Sequence, residues 1–117
     1  MVDATVSASV FRLTRHQLYI LAGVMTNPGK STENLQKKLK AFAAQNGVDG
    51  LVRVSSFAPA FLEDMEGLIE LGLIENQSAS RRAKYYLTEV GGTIMAHVIS
   101  EYGYNFATWP IEVDITL

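Results

Sequence analysis

Apolar and polar residues alternate over Val2–Phe11, with Val2, Ala4, Val6, Ala8 and Val10 on one face and Asp3, Thr5, Ser7 and Ser9 on the other. Period two with β-branched residues predicts a strand. The period then changes. After Thr14, a candidate N-cap, Leu18, Leu21, Ala22 and Met25 recur at helical spacing to Thr26, and Asn27-Pro28-Gly29 stops the segment. Ser31 or Thr32 caps a second helix reaching to around Gln45, with Leu35, Leu39 and Phe42 as its buried face. Two turn dipeptides, Asn46-Gly47 and Asp49-Gly50, leave room for only a short strand at Leu51–Val54. A third helix starts at Ser55 or Ser56, with Pro59 in its first turn, where a missing N–H costs nothing. Phe61, Met65 and Leu68 line its apolar side with Leu62 and Ile69 beside them, and Gly72 is its C-cap.

Beyond Gly72, Leu73–Asn76 and Ala83–Leu87 are short β-like runs around the polar tip Gln77–Arg82, a hairpin. Thr88 caps a fourth helix, Glu89–Tyr102, with Val90, Ile94 and Val98 along one line and Met95, Ile99 and Tyr102 along another. Residues Ile111–Leu117 alternate again, which predicts a second terminal strand. The expected fold is α+β, in a single domain over 1–117, with a core at 14–103 and terminal extensions at 1–12 and 104–117. Leu39, Phe61, Met65, Leu68 and Leu87 are its expected buried residues.

Composition narrows the function classes. Hydrophobic residues make up 48% of the 117 and charged residues 19%, with ten Lys and Arg against twelve Asp and Glu and a net charge of -2. Such a chain is no polycation, so contact with nucleic acid requires a local basic patch. With no cysteine, disulfides, thiolate metal sites and cysteine nucleophiles are excluded. No basic-then-apolar leader is visible and no apolar run reaches spanning length, so the expectation is a cytoplasmic protein without a membrane partner. His16 and His97 are isolated, and no nucleophile elbow or phosphate loop occurs. No enzymatic activity, metal or cofactor is expected.

Three helices, a hairpin and a further helix, in that order, match a winged helix-turn-helix domain. The run from Leu62 through Gly67-Leu68-Ile69-Glu70-Leu71-Gly72-Leu73-Ile74-Glu75 resembles the recognition-helix end and first wing strand of PadR-like and MarR-like bacterial regulators. Arg81-Arg82-Ala83-Lys84-Tyr85-Tyr86-Leu87-Thr88-Glu89-Val90-Gly91 resembles their second wing strand, the Leu-Thr pair and the Gly that opens the next helix. The resemblance spans roughly residues 14–103 and implies a homodimeric, DNA-binding transcriptional regulator that dimerises through terminal elements. One departure stands out. Phe57–Glu75, where relatives place cations or neutral polar groups, carries Glu63, Asp64, Glu66, Glu70 and Glu75 and neither Lys nor Arg.

Two functions therefore compete. In the first, phosphate is held by the wing (Arg81, Arg82 and Lys84), by Lys37, Lys38 and Lys40 of the second helix, and by Ser55 and Ser56 at the start of the third. In the second, the domain is a protein-interaction module whose contact face is Glu63, Asp64, Glu66 and Glu70. The fourth helix and the aromatic run after it offer dimer anchors in Met95, Ile99, Tyr102, Tyr104, Phe106 and Trp109. The two terminal strands either pair with a second chain or pair with each other.

Overall fold

Thr14 starts the first helix with a capping box. Its Oγ1 accepts from the Gln17 N–H at 3.2 Å, and the Gln17 Oε1 accepts from the Thr14 N–H at 3.0 Å. The computed structural model describes residues 10–31, 34, 35, 37–39, 41, 59–78, 83–105 and 108–117, with the backbone alone for 59–62. In chain order its elements are β1 (Val10–Thr14), α1 (Arg15–Thr26), α2 (Pro59–Glu70), β2 (Ile74–Asn76), β3 (Tyr85–Leu87), α3 (Glu89–Tyr102) and β4 (Glu112–Thr116). Residues 34, 35, 37–39 and 41 are also helical. Strand formation at Leu51–Val54, and Phe42 and Phe61 as core side chains, lie outside the described residues.

Helix α1 is the axis of the domain. Seven consecutive residues, Leu18–Val24, are buried, the pattern of a helix surrounded by neighbours rather than lying on a surface. It packs against α2, α3, β1 and β3. Gly23 lets another segment approach closely, because a Cβ there would sit 2.7 Å from Leu39 Cδ2. Leu35 and Leu39, one helical turn apart, press on α1 at that point and are both buried.

The α2 terminus has a defined chemistry. The N–H of Leu73 donates to the Leu68 carbonyl and that of Gly72 to the Ile69 carbonyl, each at 3.0 Å, around a Gly72 φ of 75°. This is a Schellman cap, with Leu68 and Leu73, its paired apolar residues, both fully buried. Met65 and Leu39 join the same core, Leu87 is half-buried, and Ile69, expected beside the apolar side, is exposed because it follows the buried Leu68 around the helix.

The two terminal strands pair with each other in one chain. β1 and β4 are antiparallel, with Phe11 opposite Ile115, Arg12 opposite Asp114 and Leu13 opposite Val113. Phe11, Leu13, Val113 and Ile115 face the core, and Arg12 and Asp114 form an ion pair at 2.9 Å on the solvent side. The strand predicted over Val2–Phe11 is observed from Val10 and runs on to Thr14; its earlier residues lie outside the described set. Its apolar face is also inverted at this end, since Val10 is 61% exposed. The cause is the junction with α1: Thr14 must face solvent to cap the helix, so period two turns Leu13 and Phe11 inward and Val10 outward.

Candidate nucleic-acid interface

The wing is built from α2 outward. The Schellman turn delivers Leu73 and Ile74 to the core, and β2 then pairs with β3 in the register Ile74–Leu87, Glu75–Tyr86, Asn76–Tyr85. Asn76 closes the throat of the hairpin: its Oδ1 accepts from the N–H groups of Ser78 and Lys84, both at 3.0 Å. Gln77 N–H adds a bond to the Lys84 carbonyl at 2.9 Å. Arg81 and Arg82 lie outside the described residues, as do Lys40, Ser55 and Ser56.

A third segment joins the wing. Lys30 bridges to Tyr85 in antiparallel fashion, with Tyr85 N–H donating to the Lys30 carbonyl at 3.2 Å and Gly29 N–H to the Tyr85 carbonyl at 2.9 Å. Gly29 sits at φ 78°, and a Cβ there would lie 2.9 Å from the Tyr86 hydroxyl oxygen, so the turn needs glycine both for its backbone and for space. Sequence patterning missed this contact, because a single bridging residue after Asn27-Pro28-Gly29 has no periodicity to detect. Its effect is to set Lys30 beside the strand that follows Lys84. Lys37, Lys38 and Lys84 are exposed, and Lys30 is half-buried.

The far side of the wing is anchored on α3. Thr88 N–H donates to the Leu73 carbonyl at 3.1 Å, Thr88 Oγ1 donates to the Gly72 carbonyl at 2.5 Å, and the same Oγ1 accepts from Gly91 N–H at 3.0 Å. The Leu-Thr-x-x-Gly pattern at Leu87–Gly91 thus has a physical reading. The threonine caps α3 and latches it to the α2 terminus, and the glycine allows the two backbones to touch.

Helix α2 separates its carboxylates. Glu63, Glu66 and Glu70 form one exposed stripe at i, i+3 and i+7. Asp64 is only half-exposed. Burial pushes its carboxyl above the ordinary value, the positive field of His16 opposes this, and the charge of Glu63 adds to it.

The proposed dimer anchors divide by burial. Met95 and Trp109 are fully buried in the chain's own core, Ile99 and Tyr102 pack partly against it, and Tyr104 is 71% exposed. Phe106 lies outside the described residues. Trp109 stacks on Tyr19 with centroids 5.7 Å apart, and its Nε1–H donates to the Gly103 carbonyl at 3.0 Å. Val90, expected on an apolar line of α3, is instead 39% exposed, because it sits in the first turn, on the flank of the buried Gly91. An open pocket of about 400 Å³, lined by Thr14, Arg15, His16, Ile111 and Glu112, lies at the opposite end of α1 from Lys30. Among the described residues, no helix is long and apolar enough to cross a membrane.

Helices followed by a two-stranded wing latched onto a further helix define the α+β winged-helix class. The multiple antibiotic-resistance repressor (MarR) from Listeria monocytogenes 4b F2365 shares this fold, with a TM-score of 0.50 and 20% identity over 69% of this chain and 46% of that one. The chain therefore spans less than half of that repressor's length. The likeness supports the MarR-like resemblance read from the sequence at the level of fold; the PadR-like one has no counterpart in it. No protein-family model and no curated protein matches the chain.

Proposed function

We propose that this chain is a DNA-binding transcriptional regulator that acts as a cytoplasmic homodimer and holds duplex phosphate with its wing and the segment beginning at Lys30. The observation that carries the reading is the Lys30–Tyr85 bridge. It sets Lys30 beside the strand that follows Lys84, and Lys37, Lys38 and Lys84 are exposed; Arg81 and Arg82 join them in this proposal. The winged-helix fold shared with a repressor supports the same reading. Lys40, Ser55 and Ser56 complete the phosphate-binding set in this proposal. Because α2 carries a stripe of carboxylates, base reading by that helix is minor and affinity is dominated by the phosphate backbone.

The test is a salt titration. Arg81→Ala/Arg82→Ala should weaken binding to specific and random duplexes alike, and the log–log salt slope should shrink by about 0.9 for each phosphate that is no longer neutralised. Unchanged affinity and slope would remove the wing from the interface. Dimerisation, anchored in this proposal by Ile99, Tyr102, Tyr104 and Phe106 with Met95 and Trp109 supporting them from the core, is checked by sedimentation. A dimer mass at low micromolar concentration that Tyr104→Ser/Phe106→Ser converts to the monomer is expected, and a monomer at every concentration would reject it.

A second reading is favoured by one observation. The exposed Glu63, Glu66 and Glu70 stripe, with Asp64 on its flank, is a surface that repels phosphate and suits a basic protein.

A further inference from the structure

The ladder of the wing ends on a side chain. Continuing the β2–β3 register, Gln77 falls opposite Lys84, and its N–H donates to the Lys84 carbonyl at 2.9 Å. A regular antiparallel pair of this kind exchanges two bonds, the second running from the Lys84 N–H to the Gln77 carbonyl. Here the Lys84 N–H donates at 3.0 Å to the Oδ1 of Asn76, which also accepts from the Ser78 N–H at 3.0 Å. One amide oxygen thus uses its two lone pairs on backbone donors from both sides of the hairpin. Arg81 and Arg82 lie between Ser78 and Lys84 in sequence. On its other edge β3 is held by backbone bonds between Tyr85 and the segment Gly29–Lys30. Asn76 itself is exposed, so its side chain fills no part of the core.

We infer that Asn76 is a positioning residue for DNA binding. By clamping Ser78 and Lys84 it fixes the two points between which the chain runs to Arg81 and Arg82, and so lowers the ordering cost of presenting those cations to phosphate. The inference rests on the reading of the wing as a phosphate contact, and adds to it a residue that carries no charge. Segments that must adopt one arrangement on a ligand lose less freedom when their ends are already held, and that saving appears as affinity. The dependence on salt separates this role from a direct contact. A cation that neutralises phosphate contributes to the slope of log affinity against log salt. A neutral side chain that orders the segment beforehand raises the populated fraction of the binding-competent state, and changes affinity by the same factor at every salt concentration.

The experiment measures binding of a labelled random duplex by fluorescence anisotropy over a salt series, for the full chain, Asn76→Ala and Arg81→Ala/Arg82→Ala. Amide exchange in the free proteins is followed by NMR. Asn76→Ala should lose about fivefold in affinity at every salt concentration, the low end of what two hydrogen bonds contribute, and keep the wild-type slope. The arginine variant should instead lose slope. In free Asn76→Ala the amides of Ser78 and Lys84 should exchange about fivefold faster, whereas Asn76→Asp, which keeps the acceptor oxygen, should retain their wild-type exchange. The urea midpoint of Asn76→Ala should stay at the wild-type value, because the side chain is exposed. Wild-type affinity in Asn76→Ala, while the arginine variant loses binding, would overturn this inference and leave the wing reading standing. Unchanged exchange at Ser78 and Lys84 would also overturn it. So would a slope reduced as in the arginine variant, or a lowered urea midpoint that accounts for the lost affinity. Unchanged binding in the arginine variant would remove the wing reading itself, and this inference with it.

Discussion

Gly91→Ala should cost the fold about 3 kcal/mol or more, although alanine is the better helix former by about 1 kcal/mol. A Cβ at this position would lie 2.0 Å from the Leu73 carbonyl oxygen, 3.0 Å from its carbon and 3.3 Å from its Cα. All three are backbone atoms, so no side chain can swing aside. Relief requires α3 to withdraw from the α2 terminus, which would lengthen the bonds from Thr88 to the Gly72 and Leu73 carbonyls. The neighbouring glycine is the control. A Cβ on Gly92 meets nothing within 4 Å, so Gly92→Ala should be neutral or stabilise by up to about 1 kcal/mol. Urea titrations of the two variants should move in opposite directions from the wild type. A Gly91→Ala midpoint equal to the wild type would mean that the helix and the turn are further apart than described.

Trp109→Ala should cost about 3–5 kcal/mol, the range for deleting a large buried aromatic. The indole is fully buried, stacks on Tyr19 and donates to the Gly103 carbonyl, so its loss opens a cavity and leaves a carbonyl without its partner. Trp109→Phe keeps most of the ring contact and loses the N–H, and should cost less, about 1–3 kcal/mol. Trp109 is the single tryptophan of the chain, so unfolding is followed by far-ultraviolet circular dichroism. Near-wild-type stability of Trp109→Ala would show that the tail contributes little to the core.

Some of this architecture can be read from residues alone because local chemistry leaves local marks. Thr14 with Gln17 at one end and Asn27-Pro28-Gly29 at the other bound α1, and Gly72 and Thr88 mark the α2 exit and the α3 entry. These are short-range signals that survive without tertiary context. Three features depend on partners distant in sequence and were not legible. The spacing of Met95, Ile99 and Tyr102 marks an apolar line, but nothing in it distinguishes the chain's own core from a partner's surface. The acidic run of the third helix reads as one face, yet Asp64 is half-buried while Glu63, Glu66 and Glu70 are exposed. The Lys30–Tyr85 bridge joins residues 55 positions apart through a single pair, too little to leave a pattern. The pairing of β1 with β4 was one of two outcomes open to alternating termini, and the phase of Val10 was set by the need of Thr14 to cap α1.

The β1–β4 ribbon also has a kinetic consequence. Arg12 and Asp114 are 102 residues apart, so forming this pairing closes a loop of nearly the whole chain, whereas the wing strands close over only a short turn. Closing the long loop costs about 2 kcal/mol more than closing one of ten residues, by the logarithmic growth of loop entropy. That cost falls when the strands meet, and burial of Leu13 and Ile115 offsets it only once the helices have formed the surface on which they rest. Helix packing and the wing should thus assemble first and the ribbon last, making the ribbon a late-forming seal on the domain.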